Sequence, residues 1–262
     1  MNQRRPGGGF SRAERNGKHC IVSSKKPDPY QTGRGLVGGR GEDRARAAKV
    51  PPFVHPMVFR PYNDASHLED AQSFLSDGPV EIEIGFGRGH HLKERIKQVS
   101  QHRFLAFEVR RMWVERMAML LEREKYSHVR LILSDARPLL PEILSSGQVH
   151  AFHVFFPDPW WKKRHEKRRV VDPETLKVFH NLLSDDGCLH FRTDVLAYFE
   201  RVQSLLQAHG GYDIGESDTD TYGNVFPPTH REKKCVQYNQ PVYKLCARKI
   251  PIPSLTEPET SK

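Results

Sequence analysis

Apolar runs recur along the chain at regular intervals, at Val80–Phe86, Phe104–Val109, Val129–Leu133, Val149–Phe156 and Cys188–Phe191. Runs of this length read as strands. Between them the apolar positions switch to helical spacing. Trp113, Met117, Leu120 and Leu121 fall at i, i+4, i+7 and i+8 and mark one face of a helix. Leu176, Phe179 and Leu183 mark another, which Asp172 opens as N-cap with Pro173 at the first position and which closes near Gly187. Tyr198, Val202, Leu205 and Leu206 mark a third. Strands alternating with helices predict an α/β fold, a doubly wound and mostly parallel sheet with helices on both faces. After Gly210 the rhythm changes. A long loop holding Phe226-Pro227-Pro228-Thr229 leads to a late strand, Val242–Ala247. No internal repeat is evident.

Composition divides the chain. Residues 1–49 hold 12 Lys+Arg and 4 Asp+Glu, a net of +8, along with 9 of the 19 glycines. Subtracting these charges from 41 and 32 leaves 29 and 28 for residues 50–262, a net of +1. The basic character therefore belongs to the N-terminal segment, which has too little aliphatic content to offset its ordering entropy. The reading is a basic, Gly/Arg-rich disordered tail over residues 1–53, one folded domain over 54–250, and a short polar tail over 251–262. No apolar stretch follows Arg4-Arg5 as a secretory signal requires. An organellar transit peptide is harder to exclude, although glycine, proline and acidic residues interrupt any amphipathic helix, and no stretch reaches transmembrane length. Cys20, Cys188, Cys235 and Cys246 form no C-x-x-C pair, so their spacing announces neither a zinc site nor a disulfide framework, and no metal is expected. A reducing cytoplasmic setting is the default.

The first strand runs into Glu83-Ile84-Gly85-Phe86-Gly87-Arg88-Gly89. A G-x-G-x-G loop allows a tight turn and brings a ligand close to backbone at a helix N-terminus. Alone it is a weak signal, since many strand–helix turns carry glycine. Glu108 closes the second strand 23 residues after Gly85, and Asp135 closes the third. In a doubly wound sheet these carboxylates share the carboxyl edge, where ligands bind. NAD would set its pyrophosphate on the glycine loop beside Glu83 and be repelled. S-adenosylmethionine carries an ammonium, a sulfonium and a ribose diol, all of which carboxylates suit. On this basis Glu83 lies near the methionine end, Gly85 belongs to the loop the ligand approaches, Glu108 accepts from both ribose hydroxyls and Asp135 from the adenine amine.

The densest chemistry follows Val154-Phe155-Phe156. There the chain reads Pro157-Asp158-Pro159-Trp160-Trp161 and then packs six Lys and Arg side chains into Lys162–Arg169. Proline fixes its own φ and biases the residue before it toward extended geometry, so Asp158 is presented on stiff backbone. The tryptophans can stack on an unpaired base, and the cations can grip phosphates. Either tryptophan could equally be core, and for Trp160, directly after Pro159, core packing is the favoured reading. Chemistry on a nucleic-acid base is the implied class.

These residues resemble the bacterial tRNA (guanine-N7-)-methyltransferases, from about Val80 to Arg248. The resemblance rests on Glu83-Ile84-Gly85-Phe86-Gly87, Phe107-Glu108-Val109, Ser134-Asp135-Ala136 and, most specifically, Phe155-Phe156-Pro157-Asp158-Pro159-Trp160 with the basic run behind it. Thr193-Asp194 and Thr229 to Glu232 also fit. Trp161 stands where many members have proline, and Arg231 where an aromatic is usual, which leaves fine substrate geometry open. The N-terminal segment has no counterpart in the pattern. The resemblance implies a Rossmann-like, S-adenosylmethionine-dependent methyltransferase domain over residues 54–250. The implied reaction is methyl transfer to N7 of the guanosine at position 46 in the tRNA variable loop. Asp158 is then the catalytic carboxylate and also faces the cofactor, beside Glu83, Gly85, Glu108 and Asp135. Lys162, Asp194, Thr229, His230, Arg231 and Glu232 bind substrate. Members act as monomers or small oligomers, some with a partner subunit.

Other classes find little support. His165-Glu166 begins like a zinc-protease motif, but Arg169 stands where the second histidine belongs. His150 and His153, three apart on one strand, are expected to face opposite sides of the sheet. A basic RNA-binding protein without catalysis remains a competing class. Against it stand three ordered carboxylates, which weaken RNA binding unless they serve a cofactor. A methyltransferase acting on a different base atom or a different RNA is the enzymatic rival.

Overall fold

The computed structural model describes residues 53–60, 66–216, 218–220 and 222–252. The two proposed tails lie outside these residues except for Phe53, Pro251 and Ile252. In chain order the elements are β1 (Val58–Phe59), α1 (Ser66–Phe74), β2 (Val80–Ile84), α2 (His90–Gln98), β3 (Arg103–Glu108), α3 (Arg111–Arg123), β4 (Val129–Leu133) and α4 (Leu140–Ile143). They continue with β5 (Val149–Phe155), a 3-10 helix (Lys163–Arg168), α5 (Pro173–Leu182), β6 (Leu183–Thr193), α6 (Leu196–His209), β7 (Tyr212–Gly215), α7 (His230–Gln237) and β8 (Tyr243–Lys249). One eight-stranded sheet results, in the order β1-β4-β3-β2-β5-β6-β8-β7. All pairings are parallel up to β6, and β8 runs antiparallel to both β6 and β7. The α/β fold expected from the hydrophobic rhythm is the one found.

All five predicted strands are present, and β8 matches the late strand. Polar or very short elements escape the pattern. α1, α2 and α7 each present few apolar residues, and β1 is two residues long. α5 starts as expected, with the Asp172 carboxylate accepting from Thr175 N at 2.8 Å. It ends at Leu182 rather than near Gly187, and Leu183 already begins β6. In α3 the buried face is Val114, Met117, Ala118 and Leu121. Trp113 and Leu120 sit at its margin, packed partly against the core.

One face of the sheet, including Ile82, Phe107 and Leu189, is covered by α1, α4, α5 and α6 in a continuous apolar core. The other carries Phe104, Ala106 and Leu131 under α2 and α3. Beside that second core the same face turns polar. Glu81, fully buried in the middle of β2, is held by Arg95 through two hydrogen bonds of 3.0 and 2.7 Å, and by His102 and His153 at 2.8 Å each. Burial alone would raise its pKa. The hydrogen bonds from His102, His153 and Arg95 outweigh that and hold it well below the usual carboxylate range.

The expectation that His150 and His153 face opposite sides is corrected by a bulge. Val80 pairs with Val149 but Glu81 pairs with Ala151, so His150 is the extra residue and the alternation breaks there. His150 packs its ring 5.4 Å from His102, and His153 bonds Glu81, so both occupy the side where His102 lies. Phe226, from the loop before α7, closes this layer. It sits 4.5 Å from the His190 ring and beneath the Arg95 guanidinium.

Candidate active site at the carboxyl edge of the sheet

The chain builds β2, β3 and β4 outward in one direction and then returns to place β5 on the other side of β2. The crevice at this reversal is where open α/β sheets bind ligands. A cleft of about 400 Å³ lies there, lined by Gly85, Glu108, Asp135, Asp158, Trp160 and Arg168 among others. Four of the five proposed cofactor residues therefore converge on one wall, each from the end of a different strand.

Gly85 turns the chain at φ 79°, a conformation glycine adopts without strain, and its N–H donates to Phe107 O at 2.8 Å. Glu108 closes the loop from below. Its Oε2 accepts from Gly87 N at 2.9 Å and its Oε1 from Arg110 N at 2.8 Å. Burial raises the Glu108 pKa, against the opposing pull of those backbone N–H groups. Asp135 is paired with Arg137, whose guanidinium also donates to Lys167 O at 2.7 Å. Arg137 thus ties the third strand end to the basic segment, a link that nothing in its spacing signalled. Glu83 is not on the cleft wall. It is buried beneath the loop with Oε2 3.1 Å from His91 Nδ1.

Asp158 projects into the cleft exposed, and among the described residues its carboxylate has no hydrogen-bond or ion-pair partner. The backbone that carries it is unusual. Phe156 at φ 50° and Trp160 at φ 45° bracket the Pro157-Asp158-Pro159 segment in the left-handed region, which bulky residues rarely occupy. Two anchors hold this turn. Phe156 N donates to Arg192 O at 2.7 Å, and the buried Arg169 donates to Pro159 O at 2.9 Å and Trp160 O at 3.2 Å.

The basic run therefore splits by role. Arg169 turns inward as a clamp, and Arg168 lies 5.0 Å over the Trp160 ring. Lys162, Lys163, Arg164 and Lys167 face solvent. Trp160 is half-buried on the cleft wall rather than in the core, whereas Trp161 is 66% exposed.

The remaining predicted residues gather one strand further along. Asp194, just past β6, pairs with Arg231 in the first turn of α7. Thr229 caps that helix, its hydroxyl accepting from Glu232 N at 3.0 Å, and the His230 ring lies 5.1 Å from His90. Glu232 is buried in ion pairs with Arg192 and Lys244, at 2.7 and 3.2 Å. This cluster forms a unit, but none of its members lines the cleft. Among the described residues no helix is long and apolar enough to cross a membrane.

Residues 77–245 match a family model described as "Putative methyltransferase". A tRNA (guanine-N(7)-)-methyltransferase of Rhodopirellula baltica is 33% identical over 184 residues, covering 67% of this chain and 68% of the relative. One from Alkalilimnicola ehrlichii is 32% identical over 213 residues, covering 80% and 87%. Among solved structures, an antibiotic-related methyltransferase superposes with a TM-score of 0.52 at 14% identity, covering 70% of this chain and 94% of that one.

Proposed function

The chain belongs to the tRNA (guanine-N(7)-)-methyltransferase family, and from that premise we propose that it methylates N7 of the guanosine at position 46 in the tRNA variable loop, with S-adenosylmethionine as donor. The observation that carries the reading is Asp158, a carboxylate with no partner among the described residues, held over the cleft on a strained, doubly anchored turn. Strain of this kind persists only where surrounding contacts over-determine it.

The cleft suits the donor by the chemistry of its walls. Gly85 and its neighbours offer backbone at close approach, Glu108 suits a ribose diol, and Asp135 suits an exocyclic amine. Glu83, already engaged by His91, holds the start of α2 under the loop rather than reaching the ligand. S-adenosylmethionine, when bound, supplies an electrophilic methyl group on a sulfonium.

Guanine N7 is a free lone pair, so no proton has to be removed and no general base is required. The base gains positive charge as the bond forms. Asp158 either stabilises that charge or accepts from the guanine N1–H and N2–H₂ and so fixes the base for in-line attack. Exposed Trp161 offers a stacking face to a splayed base, and Lys162 with its solvent-facing neighbours takes the flanking phosphates. Asp194 and Arg231, paired outside the cleft wall, meet the tRNA beside the cleft, with Thr229, His230 and Glu232 setting the angle of α7. The methyltransferase domain is assigned to residues 54–250, working in the cytoplasm as a monomer or small oligomer.

The test is methylation of bulk tRNA by purified protein with labelled donor, followed by cleavage at 7-methylguanosine and mapping. Label at N7 of the variable-loop guanosine is expected. Label on another base atom, or none in tRNA, overturns the assignment.

A further inference from the structure

On β6, Cys188, His190 and Arg192 alternate with the core-facing Leu189 and Phe191, so their side chains share the polar face of the sheet. Across the antiparallel pair His190 lies opposite Cys246 of β8, and Cys188 is one step along. The two Sγ atoms and a ring nitrogen of His190 fall within 4.8 Å of one another. His190 is only 5% exposed, and among the described residues its Nδ1 has no hydrogen-bond partner. Its lost hydration goes uncompensated, as at His91, His102 and His153 of the same layer, and His190 differs from these in having two thiols within reach. None of the three residues lines the methyl-transfer cleft.

We propose that Cys188, His190 and Cys246 form a binding site for a thiophilic divalent transition metal of the Zn²⁺ class. Two thiolates and one imidazole are a donor set that selects zinc over hard cations. Tetrahedral zinc with sulfur at roughly 2.3 Å and nitrogen at roughly 2.0 Å sets its donors about 3.5–3.8 Å apart. Closing from the observed spread to that spacing takes side-chain adjustment rather than a shift of strands. Charge also balances, since two thiolates neutralise a divalent ion while His190 stays neutral. Loading releases two protons, one from each thiol, to solvent.

Access comes from the β7 side. Gly215 lies directly opposite Cys246, and a side chain there would meet none of the described residues within 4 Å. Water occupies the fourth position by that route, or the carboxylate of Asp213 does, which lies on the same strand and the same face. The role is a brace. The site joins β6 to β8 two residues before Arg192, whose pairing with Glu232 seats α7.

The test uses full-length protein, reduced and stripped with chelator, then titrated with Co²⁺ and back-titrated with Zn²⁺. A thiolate-to-cobalt charge-transfer band should saturate at one equivalent and vanish on zinc addition. Cys188→Ser and Cys246→Ser should each weaken binding at least tenfold, and Cys235→Ser should leave it unchanged. X-ray absorption on the zinc-loaded wild type provides a reading independent of any variant, with two sulfurs expected in the first shell. An all nitrogen and oxygen shell overturns the proposal. So does equal binding by wild type and Cys246→Ser, absence of binding at micromolar metal, or a disulfide between Cys188 and Cys246 in the isolated protein.

Discussion

Glu108→Gln separates the loop contact that the structure shows from the ribose contact proposed for this carboxylate. In the wild type both oxygens accept backbone N–H groups, from Gly87 at 2.9 Å and Arg110 at 2.8 Å. A carboxamide has nearly the same shape but only one acceptor oxygen. Whichever way it turns, its NH₂ meets one of those two donors. One charge-assisted hydrogen bond is lost outright, worth about 1.5–3 kcal/mol, and the other weakens to a neutral one. The variant also sheds the burial cost that raises the Glu108 pKa, so stability without ligand should fall by less than the lost bond, about 1–2 kcal/mol, well short of unfolding a domain with an ordinary margin of about 5–15 kcal/mol. Affinity for S-adenosylmethionine should drop by about 1–3 kcal/mol, roughly 5- to 150-fold, because the glycine loop loosens and the ribose loses its anionic acceptor. Urea unfolding measures the first quantity and calorimetric titration of the donor measures the second. A variant that is destabilised but binds the donor within twofold of wild type would reduce Glu108 to a loop latch. One unchanged in both would refute the arrangement.

Asp158→Asn keeps shape and removes charge, so turnover on tRNA should fall far more than donor affinity, and a variant methylating at the wild-type rate would make Asp158 structural. Arg169→Ala leaves Pro159 O and Trp160 O without their donor and should relax the turn under Asp158. A loss of about 1–3 kcal/mol in stability, with kcat lowered more than KM is raised, is expected by denaturation and steady-state kinetics; unchanged kcat at lowered stability would confine the clamp to folding. Burial lowers the pKa of His153 to about 4, against roughly 6.5 in the unfolded chain. The unfolded state therefore takes up a proton first, so this stability is complete above about pH 6.5 and falls by about 3 kcal/mol as pH drops to about 4. The lowered pKa of Glu81 adds a further loss at still lower pH. Urea midpoints that stay flat from pH 8 to pH 5 would show that the histidine layer does not titrate this way.

The sequence by itself determined the sheet and one wall of the cleft, because both are local consequences of pattern. Apolar runs long enough for a buried strand read directly, and the residue that ends each run is placed at the sheet's carboxyl edge by topology alone. Gly85, Glu108, Asp135 and Asp158 were legible for that reason. The Asp172 cap was legible because its partner is three residues away. Short or polar elements such as β1, α2 and α7 were not, since their stability comes from the surfaces they pack on rather than from their own periodicity.

Only the tertiary structure decided how the charged residues divide. Arg169 and Lys162 belong to one run of like composition, yet the first clamps the turn and the second faces solvent. Glu83 and Glu108 both end strands, yet His91 takes one inward while the other closes the glycine loop. A one-residue bulge reversed the facing of His150. Cys188 and Cys246, 58 positions apart, meet only because β8 enters antiparallel beside β6. Each of these outcomes depends on which buried partner lies opposite, and that is a property of strand order and register, which local spacing does not encode.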